Sequence, residues 1–526
     1  MHAEVRASHP IVAALGAALG AEHVLTGAAD LQFYSTDVYG DGERPVAVAR
    51  PGSTEDVCRV VELALRHGLS VVARGGGASY TDGYVPAERD AVLLDTQRMD
   101  RIVEINERDM YVVVECGVTW ARLHEALAPK GLRTPFFGPF SGLAATVGGS
   151  VSQNSISWGS GQYGVSAESV LGLEVVTGTG DVVRTGTWAS ASSAPFFRFY
   201  GPDLTGLFTG DTGALGVKTR IALRLVRRPR EFVGMSFKFA TFESMLAGMA
   251  AAAGDGINMI NFGLDPALQQ GQLGKAGTGE AIEAARAVYR NARNPVDGVA
   301  RLTRMALAGK RFLSGDVHSV HYVVEGVDRV AARANAAFLR ERLIPHGEET
   351  ANTIPQVVMA MPFAPLYNVL GPRGERWVPV HGILPFSRVE AFRRDLVDYY
   401  AANAARMQQH RVTKGAMFMT VGTNGFVYEP VFYWQDARNA CHERLVPADY
   451  LKTLPAYDAN PAGRALVQEM KQGIVDLFHR HGAAHLQVGK LYPYLRDRDA
   501  ATVKLVRAVK HGLDPGRRMN PGALGL

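Results

Sequence analysis

The sequence predicts an α+β protein of at least two domains, and three observations carry that expectation. Glycine clusters stand at 74–79, 146–164 and 210–217, each beside a short apolar run. The first lies between two strand-like runs, 69–73 and 91–94, giving the order strand, glycine loop, strand. The doubly wound dinucleotide fold needs strand, loop, helix, so it is not the expectation here. After Arg227, Arg228, Pro229 and Arg230 the pattern changes to strands alternating with helices, which suits a sheet covered by helices on one face.

At 526 residues the chain is too long for one ordinary core. A 47% hydrophobic and 20% charged composition describes a soluble globular protein. The net charge of +5 is scattered without basic blocks, so no nucleic-acid role is expected and the excess suits anionic ligands. Cys58, Cys116 and Cys441 are too widely separated for a disulfide framework, and a reducing cytoplasm is the expected compartment. Residues 11–21 are apolar but alanine- and glycine-rich, and roughly half the length that spans a bilayer. A half-buried helix is expected there, not a signal peptide, and membrane insertion is expected nowhere.

In chain order, Ser53 with Asp56 caps a helix whose buried face is Val57, Val60, Val61, Ala64 and Leu65, ended by Gly68. The strand 69–73 then runs into Arg74, Gly75, Gly76, Gly77, Ala78 and Ser79. Consecutive glycines after a strand turn backbone N–H groups toward one point, a nest that takes a diphosphate without needing a lysine. Val112 to Glu115 reads as a strand, and Thr119 starts a helix carrying Trp120, Leu123 and Leu127 inward until Gly131. The second cluster, with Thr146, Gly148, Gly149, Ser152, Asn154, Tyr163 and Gly164, shows little periodicity and is expected to be one long ordered loop. A hairpin over 171–183 and a third cluster with Gly213, Gly216 and Val217 complete the first half. In the second half, strands are expected at 232–239, 257–262, 317–324, 378–384, 415–421 and 426–434. Helices are expected from Thr241, Val327, Val389 and Arg464, with an insertion over 271–300. In the aromatic strand, Phe426, Tyr428 and Phe432 share one face, for which core packing is favoured over a pocket wall. His318 with His321, and His481 with His485, have spacings that allow a shared metal, but no carboxylate joins either pair and no metal is expected.

With the three clusters in order, residues 41–229 resemble the FAD-binding domain of the vanillyl-alcohol oxidase and p-cresol methylhydroxylase superfamily. The matching pieces also include Pro51-Gly52-Ser53 and, near the C-terminus, Met519-Asn520-Pro521-Gly522. The resemblance implies a two-subdomain FAD-binding domain over 41–229, preceded by a helical lead-in over 1–40. It further implies an α+β cap over 230–480 with a large antiparallel sheet, and a return to the FAD domain over 481–526. FAD would rest its diphosphate on the first two glycine loops and face its ring to the cap, with Asn520 near the ring, and would accept hydride at N5.

Family members that attach FAD through the first loop carry histidine where this chain has Ala78, so that attachment is not expected. The 2-hydroxy-acid branch carries a Gly-Glu-His-Gly motif where this chain reads His481-Gly482-Ala483-Ala484-His485, which weighs against that branch. Phenol oxidases grip a phenolate with tyrosines that match Tyr80 and Tyr492 here, with Tyr494 as a further candidate. Pro493 stands where their arginine would be, so Lys490 or Arg496 must substitute or the substrate is not a phenolate. The expectation is an FAD-dependent oxidoreductase acting on an alcohol or para-substituted phenol. Its partners would be a small aromatic substrate and oxygen or another electron acceptor, and a homodimer is compatible with this reading. A D-2-hydroxy-acid dehydrogenase and a non-catalytic flavin carrier are the rivals.

Overall fold

The computed structural model describes residues 9–273, 317–350 and 353–526, so most of the insertion expected at 271–300 lies outside the described residues. Two larger sheets build the first half, beside a two-stranded pair of Leu132–Arg133 with Val226–Arg227. One has four strands, ordered Val24–Leu25, Ala47–Ala49, Ala91–Asp95, Ser70–Arg74, with the last three parallel. The other is antiparallel, ordered Ile102–Asn106, Tyr111–Glu115, Val217–Arg224, Val170–Val176, Val182–Arg184. Val71 and Val92 from the first sheet and Val112, Leu173 and Ile221 from the second belong to one apolar core, so the two sheets form a single packed unit.

Local chemistry sets these elements. The helix Thr54–Arg66 starts where Ser53 Oγ accepts from Asp56 N (3.1 Å) and Asp56 Oδ2 accepts from Gly52 N (3.0 Å). Glu55 and Asp56 lie in its first turn and Arg66 in the last, as the helix dipole favours. The run expected as a half-buried N-terminal helix is the helix Pro10–Leu19, with Ile11 and Leu15 buried. Among the described residues no helix is long and apolar enough to cross a membrane.

The second glycine cluster departs from the expected loop. Thr146 Oγ1 accepts from Gly149 N (3.2 Å) and caps a helix, Val147–Gln153, and a second short helix covers Ser160–Tyr163. Periodicity misses the first because its buried face is Val147, Gly148, Ser150 and Val151, mostly small residues. Small residues are needed there, since a Cβ on Gly148 would stand 2.6 Å from the Cβ of Cys116.

The second half forms an antiparallel sheet ordered Glu348–Thr350, Glu231–Phe239, His318–Gly326, Asn258–Leu264, Val412–Val421, Gly425–Trp434, Arg376–Pro379, with Gly382–Leu384 also pairing the aromatic strand. The helices Phe242–Gly254, Arg329–Leu343, Phe386–Gln409 and Pro461–Arg480 supply buried residues to the core on one face. Phe426, Tyr428 and Phe432 point into that core, so the expected face of the aromatic strand packs and its other face, Val427 and Glu429, is left for the cleft described below. The strand expected over 378–384 is broken after Pro379, where Val380 N turns to Pro430 O (2.8 Å), and the break carries His381.

The halves are tied by buried polar contacts. Arg133 of the first half and Glu325 of the cap sheet form an ion pair at 2.5 Å, with side chains 4% and 9% exposed. Burial pulls Arg228 below the usual arginine range, and the charge of Arg133 nearby adds to this. Glu325→Ala would therefore leave two cations facing each other without their acid. We expect a loss of about 3 kcal/mol, read as a lower urea midpoint, and a smaller loss for Glu325→Gln. The tail returns beside the strand Ser70–Arg74, where Val71 N donates to Arg518 O (2.8 Å) and Asn520 N to Val71 O (2.9 Å).

Candidate active site

One cleft runs from the glycine clusters to the cap sheet, with about 1720 Å³ of empty space including its open mouth. Its first end is made of backbone. A Cβ on Gly76 would stand 1.8 Å from Ala144 O, and one on Gly75 would stand 2.3 Å from Thr146 Oγ1, so the first two clusters touch where only glycine fits. Tyr84 Oη donates toward the carbonyls of Gly77 (2.7 Å) and Ser79 (2.9 Å), fixing the loop by its oxygens. The amides of Gly76, Gly77, Ala78 and Ser79 donate to no protein acceptor among the described residues. Four neighbouring N–H groups without partners, on a loop that lines the cleft, are a cradle for an anion.

The lining at this end also includes Arg74, Thr146, Gly148, Gly149, Ser152, Gly213, Gly216 and Val217. Its cations are Arg74, whose ring neighbours are Phe33 (4.5 Å), Tyr84 (4.7 Å) and Tyr34 (5.1 Å), and Lys218, which is ion-paired with Asp211. These features fit the diphosphate and the flat rings of FAD.

At the cap end, Tyr80 packs edge-on to Trp377 at 5.4 Å, and its hydroxyl accepts from Gln487 Nε2 at 3.3 Å. Burial pushes its pKa up, with the charge of Glu429 adding to this, so it stays a neutral phenol. Glu429 lines the same end with no hydrogen-bond or ion-pair partner among the described residues. Burial pushes its pKa up to about 7. His381 is held neutral, its pKa pulled down to about 3 by burial, with Nε2 donating to Leu486 O at 2.7 Å.

Tyr492 is one layer behind the lining. Its hydroxyl accepts from His381 N (2.8 Å), lies 3.3 Å from His381 Nδ1, and its ring stacks on His485 at 4.0 Å. It positions His381 and does not reach the cleft. Tyr494 is farther away, against the tail residues Ala523 and Leu524. Four residues expected at the cofactor also lie outside the lining. Asn154 ends the helix Val147–Gln153 in a left-handed conformation (φ 53°), with Oδ1 accepting from Ala167 N. Tyr163 and Gly164 end the next short helix. Asn520 donates from Nδ2 to Gly83 O (2.7 Å) and Thr212 O (2.6 Å) and accepts from Lys490 Nζ (2.8 Å), clamping two walls from outside.

Neither cation named as a phenolate partner reaches the cap end. Lys490 Nζ is spent on Val85 O (2.6 Å) and Asn520, and Arg496 pairs with Asp476 at the surface (2.5 Å). His321 is buried between Ser236 and Ser319, and His481 pairs with Asp395. Glu429, Trp377, His381 and Gln487 were not singled out from sequence. A lone acid inside the aromatic run 426–434 was the one available signal.

Residues 45–186 match a family described as an FAD binding domain. Over its whole length the chain superposes on p-cresol methylhydroxylase with substrate bound at a TM-score of 0.71 and 17% identity, covering 98% of that chain. It is a flavoprotein with the p-cresol methylhydroxylase fold. The flavoprotein likewise superposes on the 4-ethylphenol oxidase of Gulosibacter chungangensis at a TM-score of 0.69, with 18% identity over 98% of this chain and 96% of that one. In sequence it is 36% identical to glycolate oxidase subunit GlcD of Bacillus subtilis over 185 residues, 35% of this chain and 38% of that protein. It is 34% identical to the mitochondrial D-lactate dehydrogenase (cytochrome) of Arabidopsis thaliana over 197 residues, 38% of this chain and 33% of that protein. The flavoprotein thus spans between a third and a half of the length of these and other curated relatives.

Among the described residues, the phenol, thiol and imidazole groups lining the cleft are those of Tyr80, Tyr84, Cys116 and His381. Tyr84 and His381 have their polar atoms engaged, Tyr80 stays a neutral phenol, and burial pushes the Cys116 thiol up to about 12. Acid precipitation should therefore leave the flavin in the supernatant; a yellow pellet would show a covalent bond.

Proposed function

We propose that this flavoprotein is an FAD-dependent oxidoreductase that oxidises the CH–OH carbon of a small alcohol at the cap end of the cleft. The observation that carries the reading is Glu429, a half-buried acid with no hydrogen-bond or ion-pair partner among the described residues, lining the same end as the neutral hydroxyl of Tyr80. When bound, FAD supplies the acceptor for the hydride that leaves the carbon. The chain supplies the rest. Tyr80 donates its O–H to the substrate oxygen while Gln487 holds the phenol oxygen from the other side. Glu429 takes the hydroxyl proton, and with a pKa of about 7 it is a base matched to neutral pH. Trp377, Met417, Met419 and Val427 line this end with apolar side chains.

The relatives named as oxidases and dehydrogenases support the redox class, and the absence of a free cation at the cap end among the described residues favours an alcohol over a phenolate. The test is anaerobic mixing of the FAD-loaded protein with aliphatic alcohols, benzylic alcohols, 4-alkylphenols and lactate. An alcohol should bleach the flavin. If no compound bleaches it, the carrier reading replaces this one.

A further inference from the structure

We infer that the cap end of the cleft selects substrates by charge, accepting neutral or cationic groups that donate hydrogen bonds and excluding carboxylates. This rests on the cap end being the substrate site, as proposed above. Among the described residues, the cationic side chains along the cleft are Arg74 and Lys218, and both belong to the glycine-cluster end. Lys218 is already neutralised by Asp211, and Arg74 donates from Nη1 to the carbonyls of Phe33 and Thr36. A carboxylate brought to Tyr80 and Trp377 would meet no positive charge.

It would meet Glu429 instead. The groups around that acid are Tyr80, Tyr492 and Tyr433, on three separate segments, together with His381. The tyrosines are pushed up by burial and His381 is pulled down to about 3, so all four are neutral between pH 5 and 9 and none offsets a second negative charge. Asn368 adds another acceptor to this lining, since its Oδ1 is buried without a partner. A carboxylate could accept from the Tyr80 O–H but would leave Glu429 and the Asn368 Oδ1 without a donor. A hydroxyl or ammonium group donates to Glu429 and Asn368 while its carbon frame lies on Trp377 and Tyr80, whose faces also favour a cation. Two like charges about 6 Å apart at a partly buried site disfavour binding by roughly 30- to 100-fold.

The test reads binding, so it does not depend on turnover. FAD-loaded protein is titrated with benzyl alcohol, benzylamine and benzoate, three probes of equal size, and affinity is followed by perturbation of the flavin spectrum and by calorimetry. At pH 8 benzoate should bind at least about 30-fold more weakly than benzyl alcohol, and benzylamine at least as tightly as benzyl alcohol. Lowering the pH to 5.5 protonates Glu429 and leaves the probes' charges unchanged, so the benzoate penalty should shrink about tenfold. Glu429→Gln should do the same at pH 8, and the pH series covers the case in which that variant fails to fold. Benzoate binding as tightly as benzyl alcohol at pH 8, or a penalty that neither change reduces, overturns the inference. A failure of every alcohol to bleach the flavin would instead overturn the redox reading while leaving these binding results interpretable.

Discussion

Gly76→Val is expected to give a colourless protein. A Cβ at this position would stand 1.8 Å from Ala144 O and 2.6 Å from Ala144 C, and both are backbone atoms that no rotamer change can move. The loops at 74–79 and 144–149 would have to separate, and the amides of residues 76–79 would no longer converge on one anion. Because none of those four donors has a partner among the described residues, their alignment is what the diphosphate sees. We expect FAD affinity to fall by at least about 1000-fold, comparable to losing several charge-assisted hydrogen bonds. The measurement is the visible flavin absorbance of the purified variant with and without added FAD. Gly512→Ala is the matching control, since a Cβ there meets nothing within 4 Å and the residue lies in the helix Ala500–Leu513. It should keep its flavin and gain about 0.5–1 kcal/mol of stability.

Glu429→Gln should keep the flavin and lose turnover. Removing a positioned general base costs about 10²–10⁴ in kcat. In the unaltered protein, kcat/KM should fall as pH drops through about 7, where Glu429 takes up its proton, and that limb should be missing in the variant. Stability should move in the opposite direction. The folded-state pKa of Glu429 is raised from 4.5 to about 7 by burial, so the acid is well accommodated below pH 4.5 and becomes a liability as pH rises through 7. Glutamine carries no such charge. The variant should therefore melt roughly 1–3 °C higher at pH 8 and show no gain near pH 4.5. A variant with full activity would remove Glu429 from the chemistry. One with a lower Tm at pH 8 would contradict the burial argument.

The parts of the fold legible in the sequence are those where one residue type answers one backbone requirement. Gly75 and Gly76 were readable as a loop that turns its amides toward one anion, and Ser53 with Asp56 as a helix start. The helix Val147–Gln153 was not readable, because a helix that packs through glycine and serine carries no apolar stripe. The aromatic strand showed its alternation and which face packs, but not what its other face meets. With Phe426, Tyr428 and Phe432 in the core, the cleft received Val427 and Glu429, the face without aromatic rings. Tyr492 illustrates a different gap. Its position along the chain brings it to the site, but whether it lines the cleft or backs His381 depends on the break after Pro379, a tertiary event with no local signature.

Asn520 reaches Gly83 across 437 positions of sequence, and Thr212 across 308. The walls that these bonds fasten are therefore synthesised long before the residue that fastens them. A nascent chain that has already displayed every glycine of the cradle still has an unclamped site until the segment carrying Asn520 emerges and docks, so firm cofactor capture waits for that segment. A fragment cut at the limits of the matched domain, 45–186, would carry the cradle but neither Thr212 nor the Asn520 that clamps it, and should release flavin that the intact protein retains.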